Sequence, residues 1–152
     1  MTNIPLKRES LLPRIDGIAR DKEKLQNLGA LTLEEFSLSD NFDRVQFYLR
    51  RALEGVFHIG AHILSRKNGG RVTQYQDIAR HLGEFGIIDK QFSEGPLMRM
   101  AKYRNRLTHF YSDIAPEELY RIINDNLPDI DIFLHAIRQL VEEPEKFAFT
   151  IE

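Results

Sequence analysis

The chain has 152 residues, 42% of them hydrophobic and 29% charged, with a formal net charge of −2 at pH 7; this composition suits one compact domain and excludes a disordered chain. It contains no cysteine, which excludes disulfides, thiolate zinc sites and thiol catalysis. The net charge argues against binding nucleic acid through an overall basic surface, although it is compatible with a local basic site.

The N-terminal residues carry no sign of a targeting segment. Residues 1–9 lack the apolar core of a signal peptide. No stretch of the chain approaches the roughly 20 apolar residues that are needed to span a bilayer. We therefore expect a soluble, cytoplasmic protein without a membrane segment.

The first predicted helix covers about residues 5–29, where apolar residues recur with an imperfect helical period. Pro13 lies inside this segment, which predicts either a kink or a late helix start. The stretch 31–36 that follows is predicted to be a loop or a short turn. Within it, Thr32 and Glu35 have the three-residue spacing of a capping box.

The second predicted helix has the most regular pattern in the chain. Ser39, Asp40 and Asn41 are good N-cap residues, and the apolar residues after them follow a 3.6-residue period for about seven turns. The sequence Asn68-Gly69-Gly70 predicts the C-terminus of this helix.

A connector over residues 72–88 is predicted to carry one short helix. Thr73 is the expected N-cap of this helix, and Gly83 and Gly86 are expected to end it. Strand patterns are almost absent from the chain as a whole.

A third long helix is predicted to begin near Asp89 or Ser93, with Pro96 in its first turn. The apolar residues that follow have helical spacing and predict the face that packs on the core. That stripe consists of Leu97, Met100, Tyr103, Leu107, Phe110 and Ile114.

The last helix is predicted to begin at Pro116, and Pro128 is expected to kink or interrupt it. Residues 142–152 form a tail in which 146–151 fit either a short strand or an apolar arm that docks elsewhere. Together the elements predict an all-α, up-and-down bundle of four to five helices in one domain, 1–152. It divides into an N-terminal helix (about 5–29), a core bundle (about 39–141) and the C-terminal tail (about 142–152).

The third helix carries a concentration of polar groups from Arg104 to Tyr111. On a helical wheel, Arg104 and Tyr111 share one flank of the apolar stripe, and Asn105 and His109 share the other. His109 therefore points away from the core, unlike a buried structural histidine. Arg104 and His109 lie about 140° apart on the helix. A groove that uses both is more naturally completed by a second copy of the helix across a two-fold axis.

These residue types fit the cleavage of RNA. An imidazole can take the proton from a 2′-hydroxyl or protonate the leaving oxygen, and a guanidinium can hold the phosphate and stabilise its negative charge. Attack by the 2′-hydroxyl needs no metal ion. Residue types alone leave a purely structural role open, because arginine and histidine occur at this spacing in many helices.

The stretch Arg104-Asn105-Arg106-Leu107-Thr108-His109-Phe110-Tyr111 resembles the R-x4-H-x-Y motif of the HEPN superfamily. It is most similar to the HepT-like toxins of HepT–MntA toxin–antitoxin pairs, and the resemblance covers about residues 40–140. It implies an all-helical fold and a homodimer whose motif helices meet in a cleft. It further implies a metal-independent endoribonuclease without a cofactor, acting as the toxin of a type VII-like pair.

The resemblance also implies roles for individual residues. Arg104 and His109 match the catalytic pair, and Asn105 is the supporting polar residue beside it. Tyr111 matches the tyrosine that an MntA-type nucleotidyltransferase antitoxin modifies with AMP, which would place a bulky anion in the cleft and block RNA. Basic residues of the same helix are expected either to contact the RNA backbone or to form an ordinary solvated face: Arg99, Lys102 and Arg106.

One position departs from the family pattern. Many relatives carry an acid where this chain has His58, which leaves catalytic activity open. His58 and His62 have the i, i+4 spacing of a metal pair, but no third ligand stands at a telling distance, and packing or interface histidines are the alternative. A second functional hypothesis is a non-catalytic HEPN-like helical module that binds a nucleotidyltransferase partner, a nucleotide or RNA.

Overall fold

Two long helices form the frame of the protein in the computed structural model, which describes residues 2–38, 40–68 and 72–152. They are α1 (Arg8–Gly29) and α3 (Asn41–Asn68), and they pack along each other. Their backbones approach closely where Gly55 faces Ile18, because a Cβ atom at Gly55 would lie only 2.8 Å from Cγ1 of Ile18. The predicted all-α bundle is confirmed.

The chain begins with a strand rather than with the start of the first helix. Strand β1 (Ile4–Leu6) pairs in parallel with β2 (Phe149–Ile151), with Ile4 opposite Phe149. Leu6 and Phe149 are completely buried, so pairing the two chain ends covers apolar surface as well as backbone groups. The expected helix start at residue 5 is therefore wrong. Of the two alternatives for the C-terminal tail, a short strand or a docking arm, the short strand is the one that forms.

Pro13 does not delay α1. The helix begins at Arg8 and runs through the proline without ending. Of the two alternatives, a kink or a late start, the late start is wrong because the first turn lies upstream of the proline. Packing against α3 stabilises the helix on both sides of Pro13.

A short helix, α2 (Leu33–Phe36), connects α1 to α3 and confirms the predicted capping box. The Thr32 hydroxyl accepts a hydrogen bond from the backbone N–H of Glu35, and the Glu35 carboxylate accepts from the backbone N–H of Thr32 at 3.1 Å. The hydroxyl of Tyr120 donates to the backbone carbonyl of Leu31 at 2.6 Å. The connection is thereby tied to the C-terminal part of the bundle.

The predicted ends of α3 fall partly outside the described residues, since Ser39, Gly69 and Gly70 lie there. Helix α4 (Tyr75–Glu84) follows, and its N-cap is Gln74. The predicted N-cap, Thr73, is thus wrong by one residue. Glutamine is not a preferred N-cap residue and the Gln74 side chain makes no capping hydrogen bond, so the sequence pattern does not reveal this helix start.

The two glycines near the end of α4 act differently from each other. Gly83 lies within the helix and packs against Ser93, whose hydroxyl donates a short hydrogen bond to the Ala79 carbonyl. Gly86 has a φ of +72°, in the left-handed region that glycine adopts without strain. The prediction that both residues end the helix is therefore right only for Gly86.

The third long helix is a continuous run with a π turn inside it. Asp89 caps its first segment, α5 (Lys90–Phe92), by accepting from the backbone N–H of Phe92 at 3.1 Å, which confirms the start at Asp89. A π turn (Ser93–Leu97) contains Pro96 and leads into α6 (Met98–His109). Pro96 is therefore not in the first turn as predicted, since the π turn accommodates its missing N–H.

The bundle is completed by α7 (Pro116–Asp125) and α8 (Leu127–Glu142). The break between them at Asn126 confirms the interruption expected near Pro128. Two 3₁₀ turns, Tyr111–Asp113 and Pro144–Phe147, follow α6 and α8. Within the described residues, none of the helices has the length and hydropathy to cross a membrane.

Candidate active site

The guanidinium of Arg104 is held in place by an aromatic stack. Its Cζ atom lies 4.5 Å from the centre of the Tyr75 ring, a distance typical of a cation–π contact. Tyr75 is itself stacked on Phe57, with ring centres 4.8 Å apart, and Phe57 is completely buried. The core of the bundle therefore determines where this cation lies.

Polar contacts add to the stack but do not satisfy Arg104. Nη2 donates to Oε1 of Glu54 at 3.5 Å and Nη1 donates to Oδ1 of Asn105 at 3.3 Å, both long for hydrogen bonds. The Nε atom is buried and has no hydrogen-bond partner among the described residues. Because five N–H groups share two weak acceptors, the guanidinium can still bind an anion. Asn105, the predicted supporting residue, therefore contacts Arg104.

Glu54 and His58 line the same region from α3. The carboxylate of Glu54 lies between Arg104 and Arg50, 3.5 Å and 3.7 Å from their nearest nitrogens. Nε2 of His58 lies 3.5 Å from the hydroxyl of Tyr75. Burial lowers the pKa of His58 below its ordinary value of 6.5, and the nearby Arg14 and Arg104 lower the pKa further. His58 is therefore a neutral group beside the guanidinium at pH 7.

His109 is the last residue of α6, and its side chain is exposed. The prediction that it points away from the core is confirmed. No hydrogen bond joins its ring to another residue in the described part of the chain. The imidazole is thus accessible to a substrate or to a second protein molecule.

Helix α6 ends at His109, which is sooner than the helical wheel of the sequence analysis requires. Phe110 has a φ of −133° and Tyr111 starts a 3₁₀ turn, so the helical periodicity stops at His109. Phe110 is consequently 59% exposed, and its predicted place in the core is wrong. The wheel's assignment of Tyr111 to the Arg104 flank of a continuous helix is wrong for the same reason.

Tyr111 nevertheless lies beside α3. It is 57% exposed and lines a groove of about 290 Å³ together with Thr108, Phe47 and Arg50. Thr108 donates a hydrogen bond to the Arg104 carbonyl at 3.0 Å. The tyrosine hydroxyl is therefore accessible at a surface next to the helix that carries Arg104.

The basic residues of α6 differ in availability. Arg99 and Lys102 are exposed. Arg106 instead makes a short ion pair with Glu118 of α7, whose carboxylate also accepts from the Tyr103 hydroxyl at 2.8 Å. Burial of Glu118 tends to raise its pKa, but the hydrogen bonds from Arg106 and Tyr103 outweigh burial and lower it. Arg106 therefore supports the packing of α7.

The histidines of α3 do not form part of a metal centre in the described ranges, where no group of three or more His, Cys, Asp or Glu side chains converges. Nε2 of His62 accepts a hydrogen bond from the backbone N–H of Lys7 at 3.1 Å. This contact links α3 to the segment between β1 and α1, which agrees with the packing alternative for His62.

Two contributors to the site escaped sequence reasoning. Tyr75 of α4 and Glu54 of α3 were not among the candidate site residues. Their contacts with Arg104 connect residues 29 and 50 positions apart. A pattern within one helix carries no signal for contacts at such separations.

The family described as ribonuclease HepT-like matches residues 18–137 of the chain. The chain is 24% identical over 139 residues to the tRNA nuclease HepT of Aphanizomenon flos-aquae (strain 2012/KM1/D3), and the match covers 90% of this chain and 92% of that protein.

Two solved structures share the fold. One is a tri-AMPylated Shewanella oneidensis HEPN toxin in complex with an MNT antitoxin, with a TM-score of 0.73, 22% identity, and coverage of 84% of this chain and 96% of that chain. The other is a toxin–antitoxin complex with AMP-PNP, with a TM-score of 0.77, 20% identity, and coverage of 87% and 99%. The helical bundle is therefore a HEPN-like fold.

Proposed function

This chain belongs to the ribonuclease HepT-like family and is an RNase, and we propose that it is a cytoplasmic endoribonuclease toxin of a type VII-like toxin–antitoxin pair. The observation that carries the proposal is the arrangement at the end of α6. There a guanidinium held by the core and an exposed imidazole lie on successive turns of one helix. The curated relative is a tRNA nuclease, which agrees with an RNA substrate.

In this proposal Arg104 and His109 cleave RNA without a metal ion. The 2′-hydroxyl attacks the neighbouring phosphorus and forms a 2′,3′-cyclic phosphate, and the 5′ oxygen of the next nucleotide leaves with a proton. His109 acts as the acid or the base in this transfer. Arg104 neutralises the charge that builds on the phosphate oxygens, and Asn105 orients the guanidinium through its amide oxygen.

We propose that the working unit is a homodimer in which two copies of α6 form the cleft. The imidazole lies at the exposed end of α6, whereas Arg104 is turned toward α3 and α4. A second copy would bring its own His109 to the guanidinium from the open side. A strictly monomeric protein at micromolar concentration, measured by sedimentation equilibrium, would contradict the shared cleft.

We also propose that an MntA-type nucleotidyltransferase antitoxin modifies Tyr111 with AMP. The phenol is 57% exposed, which is what a modifying enzyme requires. The phosphate of the adduct would add negative charge beside the cleft, and its nucleoside would occupy space that RNA needs. One similar structure is a tri-AMPylated toxin bound to its antitoxin.

RNA backbone contacts on α6 are assigned by exposure and charge. We propose that Arg99 and Lys102 contact phosphates, because both are exposed. Arg106 is the third predicted contact, and its ion pair with Glu118 leaves it a smaller share of binding.

The proposal is tested by incubating the pure protein with RNA in the presence of EDTA. We expect cleavage that leaves a cyclic phosphate, and we expect loss of cleavage in Arg104→Ala. RNA binding without any cleavage by the wild type would instead support the alternative of a non-catalytic binding module.

A further inference from the structure

A second basic region lies in the groove between α1 and α3. The groove encloses about 370 Å³ and is open to solvent. Gly17 forms part of its lining, and a Cβ atom built there would have no neighbour within 4 Å. The absence of a side chain at this position therefore leaves room that a ligand can occupy.

The three arginines that line the groove differ in how they are paired. Arg51 is neutralised by Asp21, which is only 2% exposed, through hydrogen bonds of 2.8 Å and 2.5 Å from Nε and Nη2. Arg14 and Arg20 are exposed, and neither forms an ion pair within the described ranges. Arg14 donates one hydrogen bond, from Nη1 to the Ser10 carbonyl at 2.8 Å. Two cations of the groove are therefore available to an anionic ligand.

The groove adjoins the residues that surround Arg104. Glu54 and His58 line it, and the same two residues contact Arg104 and Tyr75. Arg14 and His58 both line the groove, and Glu54 in the same lining is the carboxylate that Arg104 contacts. The groove and the site around Arg104 therefore adjoin each other along α3.

The charge of this region is opposite to that of the whole protein. Three guanidiniums line the groove, those of Arg14, Arg20 and Arg51, together with the carboxylates of Asp21 and Glu54, which gives its lining a formal charge of +1. The complete chain has a formal charge of −2. A local excess of cations attracts polyanions to the groove while the rest of the surface repels them.

We propose that the α1–α3 groove binds the phosphates of the RNA strand next to the cleaved bond, with Arg14 and Arg20 as the contacting groups. This inference rests on the proposed ribonuclease function and names a binding subsite for its substrate. The lining offers guanidiniums rather than exposed aromatic rings, so recognition is through the backbone and is independent of base sequence.

The test compares two double variants that remove the same charge. Arg14→Gln/Arg20→Gln alters the groove, and Arg121→Gln/Arg138→Gln alters exposed arginines of α7 and α8. Fluorescence anisotropy measures the affinity of the full-length protein for a labelled 2′-O-methyl single-stranded oligonucleotide. This probe lacks the free 2′-hydroxyl that the proposed cleavage needs. Binding is thereby measured separately from cleavage.

We expect the groove variant to raise the Kd about tenfold and the control to change it less than about twofold. The slope of log Kd against log salt should fall by about 1.4, because each lost phosphate contact on a single strand contributes about 0.7. On cleavable RNA the KM should rise and kcat should stay within about twofold, because positioning of a flanking phosphate adds uniform binding.

A third variant acts on the groove without touching its arginines. Gly17→Glu introduces a carboxylate where the groove has space, and it should weaken binding at least as much as the double variant. Unchanged affinity in both groove variants, with wild-type cleavage intact, would overturn the subsite and leave the proposed function standing. If the wild type cleaves no RNA and the groove variants still bind the oligonucleotide more weakly than it does, the proposed function is overturned while the groove is supported as an RNA contact.

Discussion

The two ends of the Arg104–Tyr111 motif are built in opposite ways. Arg104 is 22% exposed and is held by Tyr75, Glu54 and Asn105. Tyr111, at the other end, is 57% exposed and lies beyond the last helical turn. The difference suggests a division of work, because a charge that stabilises a phosphate benefits from a fixed position. Groups that exchange protons or accept a modification must be reached by other molecules.

The largest effect is expected at the exposed end. His109→Ala should reduce RNA cleavage by about 10³-fold, since a positioned acid or base typically contributes 10²–10⁴-fold. Single-turnover cleavage with EDTA present measures the loss. His135→Ala is the matched control, because His135 is an exposed histidine of α8. Cleavage retained by the His109 variant would remove this residue from the catalytic pair.

A substitution of Tyr111 tests whether this exposed residue is a site of modification rather than part of the cleavage reaction. Tyr111→Phe should retain cleavage to within about twofold, because the phenol has no role in proton transfer here. The variant should incorporate no AMP when it is incubated with an MntA-type nucleotidyltransferase and ATP, as measured by mass spectrometry of the intact protein. Tyr48→Phe on α3 serves as the control and should still be modified. A modified Tyr111→Phe protein would place the AMP on another residue.

Substitutions at the two ends of the motif should also differ in how much they lower the stability of the protein, but this difference is smaller. Arg104→Ala should lower the free energy of unfolding by about 1 kcal/mol, because it removes the cation–π contact with Tyr75 and leaves the Glu54 carboxylate with Arg50 alone. His109→Ala should change it by less than about 0.5 kcal/mol, as is usual for an exposed side chain. Urea unfolding at pH 7 measures both. Equal losses would show that Arg104 is not held as its contacts suggest.

The smallest predicted effect is the pH dependence of the unfolding free energy that comes from the two histidines of α3. Burial lowers the pKa of both His58 and His62, so the unfolded chain binds protons more readily than the folded protein. Their contribution to stability is complete above the unfolded pKa of 6.5 and is lost as the pH falls below it. Unfolding free energies between about pH 7.5 and 5.5 should decline, and His58→Gln should make the decline shallower. A steeper decline in that variant would contradict the lowered pKa of His58 in the folded protein.

The sequence was sufficient where local patterns determine structure. The period of α3, the Thr32–Glu35 capping box and the orientation of His109 follow from spacing along one helix, and the structure confirms them. The same reasoning failed at Phe110, because a helical wheel assumes that the helix continues. Nothing in the residues after His109 signals the 3₁₀ turn as strongly as a glycine or proline would.

Contacts between distant segments lay beyond sequence reasoning. The parallel pairing of Ile4–Leu6 with Phe149–Ile151 joins the two ends of the chain. The sequence offered a short strand in the C-terminal tail, but three residues at the N-terminus carry too short a pattern to reveal its partner. The stack of Phe57, Tyr75 and Arg104 combines residues of three helices. The restraint on Arg104 is therefore visible only in the folded structure.

In the proposed dimer, Arg104 of one protomer acts with His109 of its partner. Co-expression of Arg104→Ala and His109→Ala chains with two different affinity tags allows the mixed dimer to be purified. Each variant alone should be inactive, whereas the mixed dimer retains one intact arginine and one intact histidine on opposite chains. We predict that the mixed dimer cleaves RNA in EDTA at a substantial fraction of the wild-type rate. A mixed dimer as inactive as its parents would contradict the shared cleft.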